Sequence, residues 1–161
     1  MLIPATDHDF AALIAGTAPR GYRVSLAGIE SPDTLTMLRA LARDIAASFS
    51  PAAWLVVEHG EIAAMVSIVA PPAAGVVTIG YGVATDRRGR GIARRAIGDI
   101  VTWAASDLRV SALAAATAAD NPASQRVLAA NGFVQTGTGV DPDDGPLLLW
   151  QHSLADAPRG G

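Results

Sequence analysis

Between residues 79 and 97 the chain reads I-G-Y-G-V-A-T-D-R-R-G-R-G-I-A-R-R-A-I. An apolar stretch enters a turn of glycine and arginine, and a helical apolar repeat follows. Gly89 and Gly91 remove side chains where the chain reverses, so consecutive backbone N–H groups can face one anion. A helix beginning near Gly91 adds four unpaired N–H groups and the positive end of its dipole. Arg87, Arg88, Arg90, Arg94 and Arg95 crowd into residues 86–95, where Asp86 is the only acid. This turn suits a compact polyanion such as a pyrophosphate. The competing reading is a solvated, arginine-rich helix start.

Two phosphate loops can be tested against it. A P-loop requires G-x-x-x-x-G-K-[ST], and the chain has no lysine: all 12 basic residues are arginine. A dinucleotide fingerprint needs a third small residue where Arg94 stands. A second constellation lies downstream, N-P-A-S-Q-R-V-L-A-A-N-G-F at 121–133. Its Asn-Pro opening and Asn-Gly close are helix start and stop signals.

The elements that position these motifs follow from periodicity. A first helix is predicted over about Asp7 to Ala15, then a strand over Tyr22 to Ala27. Ser31, Pro32 and Asp33 open a helix that stops before Pro51. Strands follow at Trp54–Glu58, Ile62–Val69 and Val76–Ala84, the first two joined by a His59-Gly60 hairpin turn. A helix carries Ile92, Ala96, Ile97, Ile100 and Ala104 on one stripe. A strand at Val110–Ala116, the helix from Asn121, and strands at Phe133–Gln135 and Leu147–His152 close the chain. The expected class is α/β (α+β): a mixed, mostly antiparallel sheet of six to seven strands flanked by about four helices.

Composition bounds the rest. With 161 residues, 50% hydrophobic and 17% charged, one packed domain is expected, over 1–154, with a flexible tail at 155–161. No apolar run approaches the about 20 residues of a membrane span, and the first residues lack a signal-peptide pattern. The chain has no cysteine, which excludes a disulfide scaffold, a thiolate zinc site and a cysteine nucleophile. The expected compartment is cytoplasmic, with no metal and no membrane partner. A net charge of −3 with one basic patch argues against nucleic acid, which needs a basic face.

R-G-R-G-I-A at 88–93 resembles the R-x-x-G-x-A acetyl-CoA motif of the GNAT N-acetyltransferase superfamily. The segment at 121–133 resembles that family's N-x-x-S…G-F signature, one strand and one helix downstream. The resemblance covers about Tyr22 to Leu154, and the I-G-Y-G-V and V-L-A-A-N-G-F segments look most like the ribosomal-protein alanine N-acetyltransferase (RimJ/RimL-type) branch. It implies the GNAT fold and acetyl-CoA as co-substrate. It also implies that the backbone of Tyr81 and Val83 meets the pantetheine arm, and that Arg88, Gly89, Arg90, Gly91, Ile92 and Ala93 wrap the pyrophosphate. Arg87, Arg94 or Arg95 would meet the adenosine phosphate, and Asn121 would hydrogen-bond the pantetheine. The competing role of Asn121 is a plain helix cap.

The reaction so implied moves an acetyl group to a primary amine, a protein N-terminus or a small molecule, by direct attack in a ternary complex. The chain departs from the family pattern twice. Leu128 stands where many members carry the tyrosine that protonates the thiolate, and Thr78 where many carry a basic glutamate. Ser124 is then the nearest candidate donor. The base is unassigned among Glu58, His59, His152, Asp141, Asp143 and Asp144. The alternative is a non-catalytic acyl-CoA-binding sensor or regulatory module of the same fold. The partners are acetyl-CoA and an amine acceptor, and a homodimer is left open.

Overall fold

The sheet is built where β-branched and small apolar residues run uninterrupted, and the computed structural model describes residues 1–154. In chain order the elements are β1 (Leu2–Pro4), α1 (Asp7–Ile14), β2 (Arg23–Val24), α2 (Pro32–Ala46), β3 (Ala53–Glu58), β4 (Glu61–Ile68) and β5 (Val76–Val83). Then come α3 (Ile92–Ser106), β6 (Ala112–Ala118), α4 (Pro122–Ala130), β7 (Val134–Asp141) and β8 (Gly145–Ser153). The strand order is β1-β3-β4-β5-β6-β8-β7, with β2 paired to β4. All pairings are antiparallel except β2–β4 and β5–β6. This is the expected mixed sheet with four helices. The tail at 155–161 lies outside the described residues.

Two apolar clusters cover the two sheet faces. Trp54, Val66, Ile79 and Val83 pack with Ile97 and Ile100 of α3 and Leu128 of α4. Leu55 and Met65 pack with Phe10 of α1, Leu35 of α2 and Ile29 from the loop before α2. Local signals set the helix starts. Ser31 accepts the Thr34 N–H at 3.1 Å with Pro32 in the first turn, and Thr6 and Asp9 form a reciprocal capping box. Glu58 pairs with Glu61, so the hairpin turn is His59-Gly60, both with positive φ as a type I′ turn requires.

Four features differ from the expected string, the first being the strand expected at Tyr22–Ala27, which is confined to Arg23–Val24. β1 adds an eighth strand of three residues ending in proline, too short for a period to register. The strand expected at Val110–Ala116 is shifted to Ala112–Ala118. The last hairpin is longer than expected: β7 runs on through Gly137 and Gly139, which face the Leu149 side chain across the pair. Leu149 supplies the packing that two glycines cannot.

Candidate functional site

β5 and β6 pair in parallel only from Val76–Thr78 to Ala112–Ala114, yet the strands continue to Val83 and Ala118. Beyond Thr78 the sheet opens. On its other side β5 is bonded to β4, with Val69 N–H to Thr78 O and Ala84 N–H to Ala63 O, both at 2.9 Å. Backbone bonding alternates along an antiparallel pair, so Gly80 and Gly82 turn their polar groups to β4. Ile79, Tyr81 and Val83 turn theirs into the gap. The two positions expected to meet a pantetheine arm therefore carry N–H and C=O groups with no β6 register partner.

The gap leads to a cleft of about 770 Å³. Arg88, Gly89, Gly91, Ile92 and Ala93 line it on one side, Asn121 and Ser124 on the other. Arg90 is not among the lining residues. Gly91 precedes α3 with φ +76°, and no side chain caps that helix. Its first-turn N–H groups are left for a ligand or water, in the field of the helix dipole. Gly89 also has φ +76°, and a Cβ there would meet nothing within 4 Å. Its glycine answers backbone conformation, not crowding.

The arginines divide into two groups. Arg87 is held by Glu61 at 2.6 and 3.1 Å and touches Asp86. Arg95 is held by Glu58 at 2.8 Å and by the Arg90 carbonyl. Arg87 nonetheless lines the cleft, and Arg95 does not. Among the described residues, Arg88, Arg94 and Arg126 line the cleft and carry no ion pair.

Asn121 caps α4, its Oδ1 accepting the Ser124 N–H at 3.2 Å. Its amide N–H groups stay available at the cleft wall. The Tyr81 phenol reaches the start of α4 and donates to the Ser124 carbonyl at 3.5 Å. Burial pushes that phenol up, and a hydrogen bond with the Ser124 side chain opposes it. Leu128, where the family pattern places a phenol, is fully buried in the core, yet a phenol arrives beside the same helix from β5.

The carboxylates and imidazoles weighed as a base lie elsewhere. Glu58 pairs with Arg95, and His59 forms the β3–β4 turn. His152 pairs with Leu113 at the beginning of β6, at the far end from the cleft, with its ring on Phe133. Asp141 accepts the Asp143 and Asp144 N–H groups at 2.8 and 3.0 Å, closing the β7–β8 turn. None of these six lines the cleft.

Glu30 does, and the sequence reading missed it. It sits between Ile29, buried under the sheet, and Ser31, the cap of α2. Its carboxylate lies over Gly82, where any Cβ would collide with it. Burial pushes the Glu30 carboxyl up, and the Arg88 guanidinium pulls the other way. The loop is tethered at its start by the Ser25 hydroxyl, which donates to Asp86 at 2.7 Å. No cluster of three metal-ligating side chains occurs among the described residues, and no described helix is long and apolar enough to cross a membrane.

The family model described as the acetyltransferase (GNAT) domain matches residues 1–134. Among curated proteins none matches significantly. Among solved structures, RimL, a ribosomal L7/L12 alpha-N-protein acetyltransferase in complex with coenzyme A, is similar at a TM-score of 0.71. Identity is 17%, over 96% of this chain and 93% of that one. Aminoglycoside acetyltransferase AAC(6')-Ib in complex with coenzyme A is similar at 0.67 with 18% identity, over 95% and 94%. A chimera of the spermidine N-acetyltransferase SpeG from Vibrio cholerae is similar at 0.71 with 15% identity, over 96% and 95%. At these identities the likeness is one of fold, while the family match spans most of the sequence. The chain belongs to the GNAT acetyltransferase family.

Proposed function

We propose that the chain is an acetyl-CoA-dependent N-acetyltransferase that moves the acetyl group to a primary amine by direct attack in a ternary complex. The observation that carries this is the unpaired β5 edge running into the uncapped start of α3. An extended amide-bearing arm can pair with Tyr81 and Val83 as an added strand, and a pyrophosphate at its end then meets the N–H groups of residues 88–93. Arg94 and Arg126 stand free for a further phosphate. The similar RimL and AAC(6')-Ib structures carry CoA, and the three descriptions name aminoglycoside, spermidine and protein N-terminal acetyltransferases. All three substrate types present amines.

Primary amines with pKa about 10 are protonated at pH 7 and must lose a proton before attack. The thiolate that leaves must gain one. The cleft has groups on both sides of β5 for these transfers. Release of free thiol from acetyl-CoA, measured with kanamycin, spermidine and a peptide with a free N-terminus, tests the proposal. Amine-dependent thiol with matching acetylated product supports an enzyme. CoA binding with no thiol release from any of them would favour the sensor reading, which the departures at Thr78 and Leu128 already motivate.

A further inference from the structure

We propose that Glu30 receives the proton of the acceptor amine, and that Gly82 is glycine to make room for it. The proposal rests on the acetyltransferase reading above and deepens it. Met65 and Gly82 are register partners, and Met65 belongs to the cluster under α1 and α2. Partners across a pair share a face, so Glu30 and Gly82 lie on the α1/α2 face of β5. The Tyr81 side chain and α4 lie on the other. The open gap between β5 and β6 joins the faces, so an amine approaching a thioester in the gap from the α1/α2 side passes the Glu30 carboxylate.

Position and environment suit the task. Ile29 and the Ser31 cap hold the backbone on both sides of Glu30, so its carboxylate is aimed by anchored neighbours. The charged group acting on it is Arg88 from the turn after β5; Arg87 of the same turn also lines the cleft, and the Tyr81 side chain lies on the opposite face of β5. Arg87 is engaged by Glu61. Among the described residues, no acid other than Glu30 lines the cleft. A half-buried carboxylate is a better proton acceptor than a solvated one, because burial disfavours its charge.

The step balances without any added reagent. The ammonium gives one proton to the Glu30 carboxylate and becomes a neutral amine. Its nitrogen pair forms the C–N bond at the thioester carbonyl, and the C–S bond breaks. The sulfur takes the second nitrogen proton, giving amide and free thiol, and Glu30 returns its proton to solvent.

The test has an arm that needs no turnover. The chain has only three glutamates, Glu30, Glu58 and Glu61, so carboxyl carbons labelled in glutamate resolve by NMR and Glu30→Gln assigns its signal. Glu30 should titrate above Glu61, which the Arg87 guanidinium holds down. Titration at or below Glu61 overturns the proposal, whether or not an acceptor is known. In the rate arm, Glu30→Gln should lower kcat about 10²–10⁴-fold for each ammonium acceptor that the wild type acetylates. Hydroxylamine, already neutral at pH 7, should lose far less, and calorimetric affinity for CoA should stay within about 2-fold. Gly82→Ala, which displaces the carboxylate without removing it, should reproduce the kcat loss with the same CoA affinity. Equal losses for ammonium acceptors and hydroxylamine, or no loss, overturn the assignment. If CoA binds and no amine turns over, the acetyltransferase reading fails and the proposal with it, whereas wild-type turnover that Glu30→Gln leaves unchanged overturns the proposal alone.

Discussion

The turn at residues 88–93 and the loop at residues 25–31 border the same cleft, and they are built by opposite means. The turn is a backbone device: two left-handed glycines and an uncapped helix start, all within a few residues. The loop is a side-chain device, Glu30 seated on Gly82, 52 positions away in the chain. A polyanion shared by a whole family can be held by N–H groups that any sequence supplies. An acceptor that differs between members must be met by side chains. On the proposed function, cofactor affinity belongs to the turn and acceptor chemistry to the loop, and substitutions can separate them.

The largest effect on cofactor affinity is expected at Gly91. Gly91→Glu puts a side chain at φ +76°, 3.0 Å from Arg95 at the Cβ alone, and a negative charge at the helix start. CoA affinity should fall by more than about 100-fold, some 2.7 kcal/mol, with the far-UV circular dichroism unchanged. Retained affinity in the folded variant breaks the assignment of the turn.

Tyr81→Phe acts between the two regions. It removes the phenol that reaches the start of α4 while leaving the backbone groups of β5 in place. We expect kcat to fall about 10-fold, the scale of one hydrogen bond, with CoA affinity within about 2-fold. A loss of affinity without loss of kcat would make the phenol a cofactor contact.

How much of this was readable beforehand follows the same division. The turn, the helix starts at Ser31 and Asn121, and the His59-Gly60 hairpin were all visible, because each is decided by residues within one or two turns of chain. Asn121 was read with two roles; the structure shows the cap and leaves its amide N–H groups at the cleft wall. Glu30 was invisible because its importance depends on contact with Gly82, and sequence spacing carries no record of that. The ion pairs of Arg87 and Arg95 are invisible for the same reason: their partners Glu61 and Glu58 lie on a hairpin 26 and 37 residues earlier. The glycine pair in I-G-Y-G-V was the available signal, since glycine inside a strand marks a close approach.

Arg88 is the one side chain that serves both regions. Arg88→Gln should weaken CoA a few-fold, and the weakening should diminish in high salt as charge contacts are screened. It also removes the cation that opposes the upward displacement of Glu30. The Glu30 carboxyl then rises further, so the acid limb of the pH–rate profile should move to higher pH. A limb that stays in place would detach Arg88 from Glu30. Ser124→Ala should be the mildest change, under about 3-fold in kcat. The Ser124 backbone N–H and carbonyl bond to Asn121 and Tyr81, and the variant keeps both while losing the side-chain hydrogen bond to Tyr81. A loss of about 10²-fold would instead make its hydroxyl the thiolate's donor.

A crystal structure with CoA bound is the most direct test. The account predicts the pyrophosphate on the N–H groups of residues 88–93 and the pantetheine along Tyr81 and Val83. It puts the sulfur in the gap beside the Tyr81 phenol, with Glu30 across the gap on the α1/α2 face. CoA seated away from the β5–β6 gap, or a sulfur that Glu30 cannot face through it, would contradict the account.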